Sequence, residues 1–506
     1  MFLIYCFLVL LAIFILLKIK RKQKRNGKKP PSPKGVPVFG NALEINEKNT
    51  LDMLFKYAEE YGDIFEIKLL HETLVCLNSE GMIRKALAGE PYKRYMNDKA
   101  KSFYSETMLY GSQSVFTYGD AHSKVYNGMR KGIIKALHVY GQEGFNEFEK
   151  KIQQELDRLS RKIASFGDHD FDVAALFKRS LTNVVSLVLN GEIIEDDDDV
   201  VNIFWDYVEG VNYFVSASVN NILTFLPFLR YAPGFKSKFN HMYNGKERIV
   251  ERFFRKRKNK VDGGPKGLAD FLIEEQRQSI EQGKEVIFTD ERIISNILET
   301  VAAGILTTLS VLTSTLLCLI NYPEYQDKVF RELDRTIGRD RPPVHTDKPN
   351  CPHLEALELE VHRLLTVVPI LAGRKCTQDL NLEGYDVSKG TLVVANIWRI
   401  HHDPNIWGDP WNFRPERFLG ADGQLLPRDH VFRRNCIPFA VGRRQCLGEQ
   451  FAKSRFFLYM ATLLGRWKFV GSPGKFGSCD ARTRKDMDTN VTIRPKPFFC
   501  TAVKRF

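Results

Sequence analysis

The amino-acid sequence predicts a mostly α domain with a small β-sheet region, and three observations predict it. Apolar residues recur at helical spacing over ten segments: 51–61, 124–138, 144–165, 173–190, 198–216, 245–259, 268–282, 290–321, 323–336 and 353–367. Only 64–70 with 75–77, and 392–397, read as β-branched or apolar runs between turn residues, which places the small sheet near the N-terminal half. No linker, internal repeat or low-complexity tract interrupts residues 46 to 506. Length alone would allow about three domains; the unbroken stretch argues for one.

Composition is that of a globular protein, 43% hydrophobic and 27% charged. The net charge of +13 suggests nucleic acid until it is located. Residues 18 to 29 hold eight Lys or Arg and no acid, which leaves about +5 for the rest and no case for a nucleic-acid partner. Residues 2–17 (FLIYCFLVLLAIFILL) precede that run without a single charge. This is shorter than the ~20 residues of an upright membrane span and longer than most signal-peptide cores. Cations follow where a cleavage site would be, so residues 1–29 read as an uncleaved anchor with a basic stop-transfer segment, its C-terminal side held in the cytosol. Nine cysteines, odd in number and without a CxxC pair, suggest neither a disulfide framework nor a zinc site. Residues 30–45 form a proline-rich hinge: prolines 30, 31, 33 and 37 impose an extended, stiff path. The acidic run 195–199 reads as a solvated loop between helices. Residues 46–506 are the body.

Three segments carry chemistry. Phe439, Gly442, Arg444, Cys446 and Gly448 occupy all five fixed positions of F-x-x-G-x-R-x-C-x-G, a chance match of order one in ten thousand for ~500 positions. Glu360 and Arg363 form an E-x-x-R on a helix, 86 residues before Cys446, with the stretch Trp411–Phe418 (WNFRPERF) between them. The run 290–321 would span ~48 Å as a helix, capped by Asp290 and stopped by Pro323. Ala303, Gly304 and Thr307 share one of its faces by i,i+3 and i,i+4 spacing. A glycine in mid-helix is costly and calls for a close neighbour.

In this order and spacing the three segments resemble those of the cytochromes P450, and the resemblance covers the C-terminal third. It implies the P450 fold with a single haem domain, and haem b held through Cys446 as axial thiolate ligand. A thiolate pushes electron density onto iron and favours O–O cleavage, and backbone N–H groups brought to the sulfur by the glycines tune it. Phe439 would pack under the macrocycle and Arg444 would pair with a propionate. Glu360, Arg363 and Arg417 would form a buried structural charge network. Ala303-Gly304-Ile305-Leu306-Thr307-Thr308 resembles the oxygen-binding stretch, with Thr307 as the hydroxyl that serves bound oxygen. Leu306 departs from the pattern, which usually has an acid there. Tyr126-Asn-Gly-Met-Arg130 keeps the W-x-x-x-R spacing with Tyr for Trp, His122 being a competing aromatic, and Arg374 falls where the family commonly binds a propionate.

The resemblance further implies a monooxygenase of the endoplasmic-reticulum membrane, single-pass with a cytosolic body, acting on a lipophilic substrate of steroid, fatty-acid or xenobiotic type. Electrons would come from an NADPH-dependent reductase, with a b5-type cytochrome as a further partner; the chain has no dinucleotide fingerprint of its own. Leu306 leaves open a haem-thiolate isomerase or dehydratase of lipid peroxides, and an intact ligand loop alone does not exclude a non-catalytic haem protein.

Overall fold

The computed structural model describes residues 27–506 except 47, 71, 138–141, 195–198 and 260–263, and except the side chains of 142–147, 217 and 372. The apolar run 2–17 and most of the acidic run therefore lie outside the described residues. Helices dominate. The ten expected helical segments all appear, most within two or three residues of their expected ends. The segment expected at 245–259 starts earlier, at Pro233, and passes through a π-helical turn at Glu251–Arg255.

The central element is the helix Asp290–Asn321. Its first free N–H groups are capped by Thr289, whose hydroxyl accepts from Arg292 N, so Asp290 is the first helical residue and not the cap. Asp290 and Glu291 then favour the positive end of the helix dipole. The helix ends before Pro323, which opens the next one. It is long and apolar enough to cross a membrane, yet it is largely buried within the protein, as the core helix of a globular domain is. Helices Gln142–Ala164, Val173–Asn190 and Glu449–Arg466 pack with it into one bundle.

The helix Glu449–Arg466 has no counterpart among the expected segments. Residues 455–464 are buried without a break. A helix covered on all sides shows no apolar stripe at a period of 3.6, which removes the signal.

The expected sheet near the N-terminal half is corrected in the same way. Strands β1 (Ile64–Leu69) and β2 (Glu72–Leu77) make a hairpin, but β2 pairs in parallel with β8 (Leu392–Asn396), Val75 opposite Val393. The sheet runs β1-β2-β8-β5-β3, with β5 at Ile370–Lys375 and β3 at Asp98–Lys99. It joins both halves of the chain, since a parallel partner must arrive by a long connection. A second sheet joins β4 (Phe171–Asp172), β12 (Phe499–Lys504) and β9 (Trp467–Gly471), and two hairpins pair β6 (Leu380–Leu382) with β7 (Tyr385–Val387) and β10 (Met487–Thr489) with β11 (Ile493–Pro495). The proline-rich segment is extended only to residue 35; at Pro37 the expected extended path gives way to a tight turn, Val36 N donating to the Gly40 carbonyl and Gly40 N to the Val36 carbonyl at 2.8 Å. The segment is tied to β1: Glu66 N donates to the Pro31 carbonyl at 2.8 Å and Asn41 N to the Lys68 carbonyl at 2.7 Å.

Candidate functional site

The loop before Glu449–Arg466 is bent by two left-handed residues, Ala440 at φ 64° and Gly442 at φ 80°. A Cβ at Gly442 would run into the Leu87 carbonyl, so both conformation and contact require glycine there. Gly448 has φ −93° and open space where a Cβ would point. What it contributes is its backbone N–H, which bonds the Cys446 sulfur. The Cys446 N–H closes the loop on the Phe439 carbonyl at 3.0 Å. Among the described cysteines Cys446 alone is partly uncovered. Burial pushes its thiol up, while the Gly448 N–H and the Arg130 charge pull it back toward thiolate. The Phe439 ring meets His362 edge-on, 5.3 Å between centroids, and carries the Lys453 ammonium at 5.2 Å.

The central helix offers the opposite wall. From Ile293 to Ile320 its side chains are buried, apart from a stripe of Glu299, Thr300, Ala303, Gly304 and Thr307, which are half-exposed. These positions recur every three or four residues and so look out on one side. Thr307 Oγ1 donates to the Ala303 carbonyl at 2.8 Å. Leu306 is 4% exposed and belongs to the core. The Cβ position of Gly304 faces Val185 Cγ2 at 3.2 Å, so the packing of helix Val173–Asn190 also asks for the glycine. The stripe and the cysteine helix are joined directly, Arg455 Nη2 donating to the Gly304 carbonyl at 3.1 Å.

A cluster of cations lies beside the loop. Lys99 on β3 stands opposite Arg374 on β5. Burial, with Arg374 and Arg444 nearby, lowers Lys99 to about 7. Burial and Arg444 lower Arg374 to about 10, and Arg374 Nε is buried with no hydrogen-bond partner. A buried guanidinium with a bare donor, as at Arg374, calls for an anion. Arg444, the cation expected at a propionate, belongs to the same cluster. Its donors go to the carbonyls of Asn97, Val115, Tyr118 and Gly119, the first two at 3.0 Å, and its plane lies 4.1 Å from the Tyr126 ring centre. Tyr126 also donates to the Arg443 carbonyl at 3.0 Å, so it, and not His122, takes the buried place against the loop. His122 is half-buried with its Nε2 3.2 Å from the Lys93 carbonyl. Arg130 reaches the loop itself through one long contact, Nη1 to the Gln445 carbonyl at 3.5 Å.

Glu360, Arg363 and Arg417 come together with fully covered side chains. Arg363 grips Glu360 with two bonds of 2.8 Å, Arg417 Nε reaches Glu360 Oε2 at 3.1 Å, and Arg414 N adds 2.8 Å. Arg363 also donates to the His401 carbonyl at 3.0 Å, and His401 Nε2 accepts from Ile437 N at 3.1 Å. Burial holds His401 well below the usual imidazole range, so that nitrogen stays an acceptor. The network is thereby fastened to the root of the cysteine loop.

Sequence reasoning missed Glu299, Lys99 and Arg455. Glu299 was legible as the charge inside a long apolar run, four residues before Ala303. Its carboxyl is raised to about 7 by burial against the lowering pull of Tyr104 and Lys99, and the Tyr104 hydroxyl lies 2.7 Å from that of Tyr207.

A lone accessible cysteine, an anion-seeking cation cluster and a hydroxyl-bearing stripe are the class of site that holds a haem. The comparisons agree with that class. The family model for cytochrome P450 matches residues 30–499. Cytochrome P450 1A1 of Canis lupus familiaris is 30% identical over 464 residues, 87% of this chain and 84% of that protein. Cytochrome P450 1A1 of Mesocricetus auratus is 30% identical over 489 residues, covering 92% and 89%. Cytochrome P450 2A6 of Homo sapiens is 26% identical over 473 residues, 93% of each. The chain belongs to the cytochrome P450 family. It is accordingly a P450 monooxygenase of the P450 fold, whose cofactor is haem with iron bound by a cysteine thiolate. The cation cluster with its unpartnered Arg374 Nε fits the propionates of that group.

Proposed function

We propose that this enzyme inserts one oxygen atom from O₂ into a lipophilic substrate, with Cys446 as the iron ligand and electrons from NADPH through a separate reductase. The observation that carries the reading is the half-exposed stripe of the otherwise buried central helix, hydrogen-bonded to the helix that follows Cys446. Bound through a thiolate, haem supplies the oxygen activation. The chain's own residues do the rest. Gly448 N–H and Arg130 favour the thiolate, Phe439 shields the sulfur from water, and Arg374 with Lys99 holds the propionates. Glu360, Arg363 and Arg417 fix the loop through His401. Small Ala303 would leave room beside the haem, Gly304 would let helix Val173–Asn190 pack close behind it, and Thr307 would offer its hydroxyl to oxygen.

Glu299, on the same stripe, anchors the polar group of an otherwise apolar substrate. Near its midpoint at neutral pH it accepts from an alcohol or an amine, with Tyr104 orienting it. Cationic side chains around the loop, Arg130, Arg428 and Lys453, favour an acidic electron donor, a reductase first and a b5-type cytochrome second. The exposed Phe228 (63%), Tyr231 (62%) and Leu226 (45%) support contact with the endoplasmic-reticulum membrane beside the anchor 1–29, the body being cytosolic.

Reduced protein under carbon monoxide is expected to show the red-shifted Soret band of thiolate ligation, and Cys446→Ser to abolish it. NADPH consumption with purified reductase then tests the reaction. Leu306, which has no proton to give, favours one other reading, a peroxide isomerase. Turnover of a fatty-acid hydroperoxide without reductase, unaffected by Thr307→Ala, would put that reading in place of the first.

A further inference from the structure

With Leu306 in the core, the usual acid beside Thr307 is missing, and protons need another way in. The opposite flank of the central helix carries one. Arg455, 3% exposed, donates from Nη2 to Thr308 Oγ1 as well as to the Gly304 carbonyl. Thr300, Thr307, Ser310, Thr313 and Thr315 each give their hydroxyl proton to the carbonyl four residues back. Thr308 instead accepts from a charged donor, so its own proton is not spent on the helix. Arg455 Nε and Nη1 are buried without hydrogen-bond partners among the described residues. Burying a cation with bare donors is costly, which implies a polar guest between it and its neighbours.

One turn along the same helix stands Tyr459, fully buried, its hydroxyl 2.7 Å from Ser180 Oγ. Ser180 bonds Glu155, which also takes the Asn183 amide at 2.5 Å. Glu155 is 3% exposed, and burial raises its carboxyl above the ordinary range against Asn183, Ser180, Arg158 and Arg179. Glu155 and Ser180 line an open cavity of about 1220 Å³ between helices Gln142–Ala164 and Val173–Asn190. The groups thus cross all four helices of the bundle, from an open cavity to the oxygen stretch.

We infer that Glu155, Ser180 and Tyr459, with Arg455 as positioning residue, form the proton-delivery line of this enzyme, ending at the Thr308 hydroxyl. The inference rests on the monooxygenase reading. Glu155 takes a proton from water in the cavity. The hydroxyls of Ser180 and Tyr459 each accept one proton and release another, so neither changes its charge. Arg455 keeps its own protons. Its three uncommitted N–H groups, one on Nε and two on Nη1, hold the water that links Tyr459 to Thr308. Each proton used at the oxygen site is matched by one taken from solvent, and the electrons come from the reductase.

The test uses the full-length haem enzyme with reductase and three variants: Tyr459→Phe, Glu155→Gln and Arg455→Lys. Tyr459→Phe loses a single oxygen atom, so its fold is expected to survive if Arg455→Lys does not. Peroxide released per NADPH is expected to rise severalfold in Tyr459→Phe and Glu155→Gln, and no further in their double variant. The D₂O effect on NADPH oxidation is expected to change by at least twofold. A second reading needs no turnover. The infrared carboxyl band of Glu155 in the resting protein, identified by its loss in Glu155→Gln, is expected to move in Tyr459→Phe. Unchanged peroxide yield and D₂O effect, or an unmoved band, would overturn the line. A band that moves in an enzyme that consumes no NADPH would sink the monooxygenase reading while leaving the connection intact.

Discussion

Replacing Glu360 with Gln removes one negative charge from a site that holds two fully covered guanidinium groups. The amide keeps the size of the side chain, so no cavity enters the account. Glu360 accepts two bonds of 2.8 Å from Arg363, one of 3.1 Å from Arg417 and one of 2.8 Å from Arg414 N. The amide NH₂ would turn a donor toward donors. Arg417 retains Asp409 Oδ1 at 3.0 Å. Arg363 keeps only carbonyls, those of His401, Pro410 and Asn412. Breaking a buried pair and stranding one charge costs about 3–5 kcal/mol. The unfolding entropy of roughly 2.1 cal/mol/K per residue gives about 1 kcal/mol/K for a chain of 506 residues. The melting temperature should therefore fall by about 3–5 °C. Haem should be lost earlier still, because Ile437 hangs from His401, whose carbonyl Arg363 holds. Differential scanning calorimetry of the holoprotein, followed in parallel by Soret absorbance, measures both. A Glu360→Gln protein that melts within about 1 °C of the parent would refute the reasoning.

Further expectations follow from the same geometry. Gly442→Ala should prevent haem incorporation, since alanine there meets both an unfavourable φ and the Leu87 carbonyl; retained thiolate absorbance would count against that account of the loop. Arg374→Leu should weaken haem retention about tenfold, measured as the rate of haem transfer to an acceptor protein, because it removes the donor that has no partner among the described residues. Glu299 has a folded pKa of about 7, raised from 4.5, so the folded state binds the extra proton. Its contribution to stability is full below about pH 4.5 and is lost as pH rises through 7. Binding of an alkylamine, read from the Soret shift, should correspondingly tighten between pH 6 and 8, and Glu299→Gln should flatten that rise. Deleting residues 1–29 should release part of the protein from membranes with its haem spectrum intact; full retention would locate the attachment elsewhere.

Much of the molecule was legible in order along the chain. The cysteine loop could be read because its chemistry is local: a left-handed glycine and a sulfur a few residues on must occur at fixed spacing whatever surrounds them. The central helix could be read from its length and its terminating proline. The E-x-x-R pair gained meaning from its distance to Cys446. What depends on distant residues meeting was not legible. The parallel pairing of β2 with β8 joins strands more than 300 residues apart, and nothing local at Val75 points to Val393. The helix Glu449–Arg466 was hidden because it is covered on every side. Only the fold shows that Arg444 gives four of its five N–H groups to backbone carbonyls. Arg455 was one basic residue among 74 Lys and Arg. Its place beside Thr308 is decided by the crossing of two helices, because the energy of a buried charge depends on its neighbours in space and not on those in sequence.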